Sequence, residues 1–326
     1  MKRAGKRMSV WVLCVVTAAA GLAGQARAAV PKVLEGVLDE GTIAVAGVRV
    51  AGVDAAALRE KVLGWVPAGI SEKDRQEAEL ALTGVAVMLA GWKTQLEAAG
   101  VEKVYVVVSV TDVPYLFGVV EGKALHEEAL GQFVAMIGTA LSEPLGWERI
   151  RGAMVVGPKA TLDRLREREV VERPELAAAW EAAGRGDVQV AVIPPAYVFR
   201  VTEEMLPIVP VVERPATVVT RGARWASVAV DLPPGVGVGV RIGSDDAAAA
   251  AALEGLIGEV WGELLDRLPA ELAELRPKFE EATEQLRPRA GGAGLALRLD
   301  EEKVDRIPTS LLQALWEREE ARRASQ

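Results

Sequence analysis

Val104-Tyr-Val-Val-Val-Ser-Val-Thr111, a turn at Val113-Pro114, Tyr115-Leu-Phe-Gly-Val-Val-Glu121 and a helical run from Ala124 to Leu141 follow one another in this 326-residue chain. The first two runs are rich in β-branched and aromatic residues, and Pro114 marks the turn between them. The same order returns about 120 residues later: Arg224 to Asp231, a turn at Pro233-Pro234, Gly235 to Ile242, then a helix from Asp246 to about Asp266. At that offset Val106, Val110 and Val120 align with Ala226, Val230 and Val240. The repetition says how the chain is assembled and divides the rest of it.

Before the first hairpin lies a strand, Thr42 to Val50. A helix follows with Leu58, Val62 and Leu63 on one face, and Asp54 is placed to accept a free N–H of its first turn. Pro67 and Gly69 end it. A second helix spans Ser71 to Ala99, and its middle, Leu80 to Trp92, is apolar on nearly every side. That run is short and flanked by Glu77, Glu79 and Lys93, which reads as a core helix rather than a membrane-active segment. After the hairpin, Leu125, Ala129, Phe133, Ile137 and Leu141 form a stripe suited to a sheet. A fourth strand is expected at Arg149 to Val156 and a helix at Thr161 to Val171.

These elements give the order β-α-β-β-α-β with one extra helix in the first crossover and another at the end. That is the split β-α-β order of ferredoxin-like domains, and it predicts an α+β fold of antiparallel sheets with helices packed on one face. The second copy has a linking helix, Glu175 to Ala183, a strand at Asp187 to Ile193, and a short helix through Val198, Val201, Met205 and Leu206. After its hairpin, the long helix carries Leu253, Leu256, Ile257, Val260, Trp261 and Leu264. A charged helical insertion, Pro269 to Pro288, is divided by Pro277 and reads as exposed turns. A strand at Leu295 to Leu299 and a charged helix at Thr309 to Ala324 close the chain. Residues 29–173 are read as one α+β repeat, and residues 174–326 as the second.

Residues 1–28 read as an export signal. Lys2, Arg3, Lys6 and Arg7 precede an apolar stretch, Val10 to Ala20, and Ala26-Arg27-Ala28 supplies small residues for cleavage. Lipidation at Cys14 is disfavoured because Leu13 precedes it. Cleavage removes that cysteine, the only one, and leaves 298 residues with neither disulfide nor thiol chemistry. No further segment is expected to insert into a membrane. The mature chain keeps 33 basic against 46 acidic residues, a net charge of −13. That balance excludes nucleic acid as the expected partner, because binding it needs a clustered basic surface. The location expected is the periplasm or the extracellular space.

No motif specifies a reaction or a cofactor. His126, the only histidine, opens His126-Glu127-Glu128-Ala129-Leu130, where a zinc protease would need a second histidine at the position of Leu130. Ser71 and Lys73 have the spacing of a serine/lysine pair, yet Ser71-Glu72-Lys73-Asp74-Arg75 suits a helix cap with early acids. Glu203-Glu204 and Glu280-Glu281 lack the loop glycine of a calcium site.

The alternation Gly235-Val236-Gly237-Val238-Gly239-Val240 lacks nucleotide-loop spacing and instead gives a strand with one face of valines and one of glycines. A glycine face invites close approach, either by a ligand or by the six alanines Ala247 to Ala252. Packing against those alanines is the favoured reading. Gly237, Gly239, Arg224 and Trp225 are the candidate ligand-facing residues.

From Pro174 onward, the runs Asp187-Val-Gln-Val-Ala-Val-Ile-Pro-Pro195, Met205-Leu-Pro207 and Arg221-Gly-Ala-Arg-Trp-Ala-Ser-Val-Ala-Val-Asp-Leu-Pro-Pro234 resemble a family of exported proteins of planctomycete-type bacteria. The resemblance implies export and a doubled fold and carries over no active-site residues. The reading is therefore an exported, non-enzymatic binding or structural protein of the cell envelope. It would hold a small ligand between the repeats or dock an envelope partner. The alternatives are a carboxylate-dependent hydrolase of glycosidase type and an accessory subunit of an envelope assembly that docks through its charged terminal helix.

Overall fold

The computed structural model describes residues 30–67, 69–110 and 114–324. The expected export signal, Cys14 within it, and Val113 of the first hairpin turn lie outside the described residues.

The chain folds as α+β around a large antiparallel sheet. Its first-half strands are β1 (Thr42–Arg49), β2 (Lys103–Ser109), β3 (Tyr115–Glu121), β4 (Leu145–Ile150) and β5 (Ala153–Pro158). The second half supplies β6 (Val188–Val192), a small separate ladder of β7 (Ile208–Val209) and β8 (Arg214–Pro215), then β9 (Trp225–Asp231), β10 (Gly237–Gly243), β11 (Arg289–Ala290) and β12 (Gly294–Leu299). The ten strands of the main sheet run in the order β11-β12-β10-β9-β6-β1-β2-β3-β5-β4. Five neighbours therefore come from each half, and the halves join through the antiparallel β1–β6 ladder, Ala44↔Val192 to Val48↔Val188. The two halves thus share one continuous sheet, a point the sequence leaves open.

Eleven helices lie among the described residues. The first half holds α1 (Lys32–Glu35), α2 (Ala55–Gly64), α3 (Glu72–Ala98), α4 (Glu127–Leu141) and α5 (Lys159–Glu167). The second half holds α6 (Pro174–Ala183), α7 (Ala196–Met205), α8 (Thr217–Gly222), α9 (Ala247–Asp266), α10 (Arg276–Gln285) and α11 (Glu301–Ala324). Asp54, Ser71 and Asp246 cap α2, α3 and α9, each accepting the N–H three residues on. His126 is the exposed residue just before α4 rather than a position inside it.

Helices cover both faces of the sheet, not one. Successive residues of a strand point to opposite faces. Val119 packs in a cluster with Leu34 of α1, Leu162 and Leu165 of α5, and Leu176 and Trp180 of α6. Its neighbour Val120 packs with Leu130 and Val134 of α4. On that second face Ile242 packs with Ala250, Leu253 and Leu256 of α9. Each large side chain so buried contributes roughly 1.5–3 kcal/mol before chain entropy.

The expected crossover also differs. A β-α-β unit needs parallel strands, whereas β1 and β2 pair antiparallel from Ala44↔Val108 to Arg49↔Lys103. Two helices, α2 and α3, lie between them, so the chain runs out and back and re-enters the sheet from the end at which it left. The β6-to-β9 connection likewise holds two helices, α7 and α8, and the second of these was not expected.

Three further expectations change. The fourth strand is a hairpin of β4 and β5, turning at Arg151 (φ 47°) and Gly152 (φ 88°). Two positive φ values make the turn that matches strand twist. The Arg151 guanidinium donates to the carbonyls of Leu165 and Arg166, both at 3.1 Å, which fixes a non-glycine residue there. The helix expected to start at Thr309 begins at Glu301 and contains Pro308. The insertion is not wholly exposed, since Leu275 and Ala282 are buried.

The largest departure is α3. It buries no residue along its 27 positions, and Leu80 and Val87 are 75% and 68% exposed. An uncharged run reads as core only if something covers it. Here α3 is tied to the helix beside it and the segments flanking that helix: Arg59 Nε donates to Thr83 Oγ1 at 3.0 Å, and Lys93 Nζ donates to the Val53 carbonyl at 2.9 Å. No helix among the described residues is long and apolar enough to cross a membrane.

Candidate functional site

Asp39 precedes β1 and is the most buried charged residue among those described, at 4% exposure. Its carboxylate accepts from Ser109 Oγ at 2.8 Å, Thr42 Oγ1 at 3.0 Å, Arg168 at 2.9 Å and, in a shorter bond, the Tyr115 hydroxyl. Arg173 reaches the same bend, donating to the carbonyls of Asp39 (3.0 Å), Glu40 (2.9 Å) and Thr42 (2.7 Å). Burial pushes the Asp39 carboxyl up, but the hydrogen bonds from Tyr115, Ser109, Thr42 and Arg168 outweigh it and hold the group below the usual carboxylate range. Burial, and then the bond to Asp39, push the Tyr115 hydroxyl up. Arg164 and Arg168 stack over the Tyr115 ring at 5.0 and 5.5 Å.

This network floors a cavity of about 800 Å³ where the two halves meet. Glu40, Val110 and Glu169 come from the first half, and Pro195, Ala196 and Tyr197 from the loop after β6 and the start of α7. The volume is within the range of small-molecule sites. Two buried carboxylates in one cleft would have favoured hydrolysis. The described cavity has one, Asp39, committed to four donors, while Glu40 and Glu169 are exposed.

A second buried aspartate serves the other half. Asp187 accepts from Arg49 through Nε (3.0 Å) and the terminal nitrogen (2.6 Å), and from the Leu232 N–H at 3.0 Å. A Cβ on Gly52 would lie 1.8 Å from its Oδ1, so only glycine fits there. Asp39 clasps the facing ends of β2 and β3, at Ser109 and Tyr115, and Asp187 holds the β9–β10 loop at Leu232.

The four candidate residues do not form one site. Trp225 is buried in the core cluster shared by both halves. Arg224 pairs with Asp245 at 3.1 Å and lies over the Phe199 ring at 4.6 Å, both contacts internal to the chain. Gly237 pairs with Asp231 and Gly243 with Trp225, so Gly237 and Trp225 stand at opposite ends of the ladder, roughly 20 Å apart at strand rise.

The glycine face is not packed by the alanines. The helix α9 covers the opposite face, through Ile242, and a Cβ on Gly239 would meet only the Ala229 carbonyl at 4.0 Å. Gly237 and Gly239 instead floor an open cleft of about 390 Å³, with Arg185, Arg241, Arg298 and Asp231 among its walls. Glycine alternation signalled the cleft in sequence. The Asp39 site had only a faint signal, Asp39-x-x-Thr42 before a strand, because Arg168 joins it from 129 residues away.

Comparisons with known protein families, with curated proteins and with solved structures find no match to this chain.

Proposed function

We propose that this is an exported, non-enzymatic binding protein of the cell envelope, related to the exported proteins its C-terminal half resembles and built from two tandem copies of one unit. Its ligand occupies the cavity at the seam. The matching strand orders 1-2-3-5-4 and 6-9-10-12-11 support the doubled construction. The observation that carries the binding role is the 800 Å³ cavity itself, whose buried carboxylate is fully engaged and so positions walls rather than moving protons. Tyr197, 44% exposed on the rim, offers an aromatic face and a hydroxyl.

Native mass spectrometry of the exported protein tests this. The expected result is a co-purifying small ligand that is lost when Ala196→Trp fills the cavity, while the unliganded Tm of the variant matches that of wild type. Saturable turnover of an ester, peptide or glycan by clean protein, or an identical mass for wild type with and without denaturation, contradicts it.

The accessory-subunit reading draws support from α3, whose Leu80, Val85, Val87 and Met88 are all exposed. The terminal helix, first considered for docking, is tied to its own chain: Lys61 Nζ meets Glu301 at 2.7 Å and Asp305 at 2.8 Å, and Trp65 donates to Asp305 at 3.0 Å. An unchanged set of co-purifying proteins in Leu80→Lys/Val87→Lys counts against this reading.

A further inference from the structure

The open cleft over Gly237 and Gly239 lies on the second half, away from the seam cavity. Its position in the fold has a counterpart. Ser109 pairs with Tyr115 and Asp231 with Gly237, so each hairpin has a five-residue loop, and equivalent positions differ by 122 rather than 120 residues. An even shift keeps every side chain on its face. Tyr115, Phe117 and Val119 thus correspond to Gly237, Gly239 and Arg241. The first set is buried in the core under α5. The second set is uncovered.

Three cations line this uncovered face. Arg241 follows Gly239 on the same side of β10, Arg298 pairs across from Gly239 on β12, and Arg185 stands in the loop after α6. Among the described residues none of the three guanidinium groups makes an ion pair or side-chain hydrogen bond. That contrasts with a chain of net charge −8 in which arginines elsewhere find carboxylates repeatedly. The acids of the cleft do not neutralise them. Among the described residues Asp231 makes no ion pair, Asp300 pairs with Lys303, and Glu301 pairs with Lys61. A guanidinium presents a planar fork that matches carboxylate and phosphate oxygens. Gly239 leaves backbone and open space beneath that fork, while the Asp231 carboxylate borders the floor at Gly237, 3.3 Å from where a Cβ would stand.

We propose that this cleft is a second binding site, for a small multiply charged anion bearing carboxylate or phosphate groups, with Arg241, Arg298 and Arg185 as its ligating cations and Gly237 and Gly239 as its floor. It is independent of the seam site. Isothermal titration with citrate and, separately, with pyrophosphate tests it and identifies the anion by whichever binds more tightly.

Saturable binding is expected, weakened at least about tenfold by Arg241→Ala/Arg298→Ala, since each replacement removes a charge-assisted hydrogen-bond donor to the anion. Gly239→Val is expected to weaken it similarly by filling the floor. Both variants should keep the wild-type Tm, because the replaced side chains are exposed and the added one meets open space. Ala196→Trp, in the seam cavity, should bind the anion unchanged. Absence of saturable binding to either probe, or binding that survives both cleft variants, overturns the proposal.

Discussion

The β2–β3 and β9–β10 hairpins share loop length, pairing and place in their halves, yet use the same face in opposite ways. In the first, Tyr115 and Phe117 stack at 6.0 Å and close beneath Leu162 and Leu165 of α5. In the second, the equivalent positions are Gly237 and Gly239, and the helix after β12 does not lie over them. That helix, α11, turns toward the other half and binds Lys61 and Trp65. The lesson is that a pleated strand supplies two faces, while the path of the following helix settles whether a face becomes core or cleft. Glycine and arginine tolerate the uncovered role; tyrosine and phenylalanine would expose large apolar area.

The greatest contrast is expected from truncating the two faces. Phe117→Ala should cost about 3–5 kcal/mol in denaturant unfolding, as deletion of a buried aromatic ring does. A loss under about 1 kcal/mol would mean that the first-half face is not the core assigned here.

Next in size is the clasp. Asp39→Asn should cost about 1–3 kcal/mol, because hydroxyls and Arg168 are left with a poorer acceptor. Its pH signature has a definite sign. The folded carboxyl sits below its ordinary value of 3.8, so its stabilisation is fully present above that value and is lost as pH falls through the lowered one. Wild type should therefore lose this contribution on acidification below 3.8, and a plot of stability against pH for Asp39→Asn should lack that component. Parallel profiles for the two proteins would show that Asp39 is not the linked group.

The smallest effect is expected at Gly239→Ala. Its backbone has no positive φ and its Cβ has room, so the variant should gain roughly 0.4–1 kcal/mol by restricting the unfolded chain. A Tm lowered by several degrees would mean that the second-half face is packed after all.

Much of the fold was legible locally. Period-two runs located β2, β3, β9 and β10 to within two residues, and Asp54, Ser71 and Asp246 announced their helices because a cap is a contact between near neighbours. The β4–β5 turn was missed because Arg151 gives no turn signal of its own; carbonyls from the end of α5 stabilise it. The Leu80–Trp92 run was misread because its composition matches a core helix and exposure is not a local property. The glycine face was noticed, but its neighbour was misassigned: α9 returns over Ile242, on the other side of the pleat.

Residue order alone established the alternation of strands and helices, the recurrence of the hairpin and the absence of any cysteine beyond Cys14, since these are matters of spacing and count. The joining of ten strands through β1 and β6, the meeting of Asp39 with Arg168, and the uncovering of the Gly237–Gly239 face depended on the folded chain. Each requires groups distant in sequence to compete for the same surface, and that competition is resolved only when loop closure, helix path and burial are satisfied together.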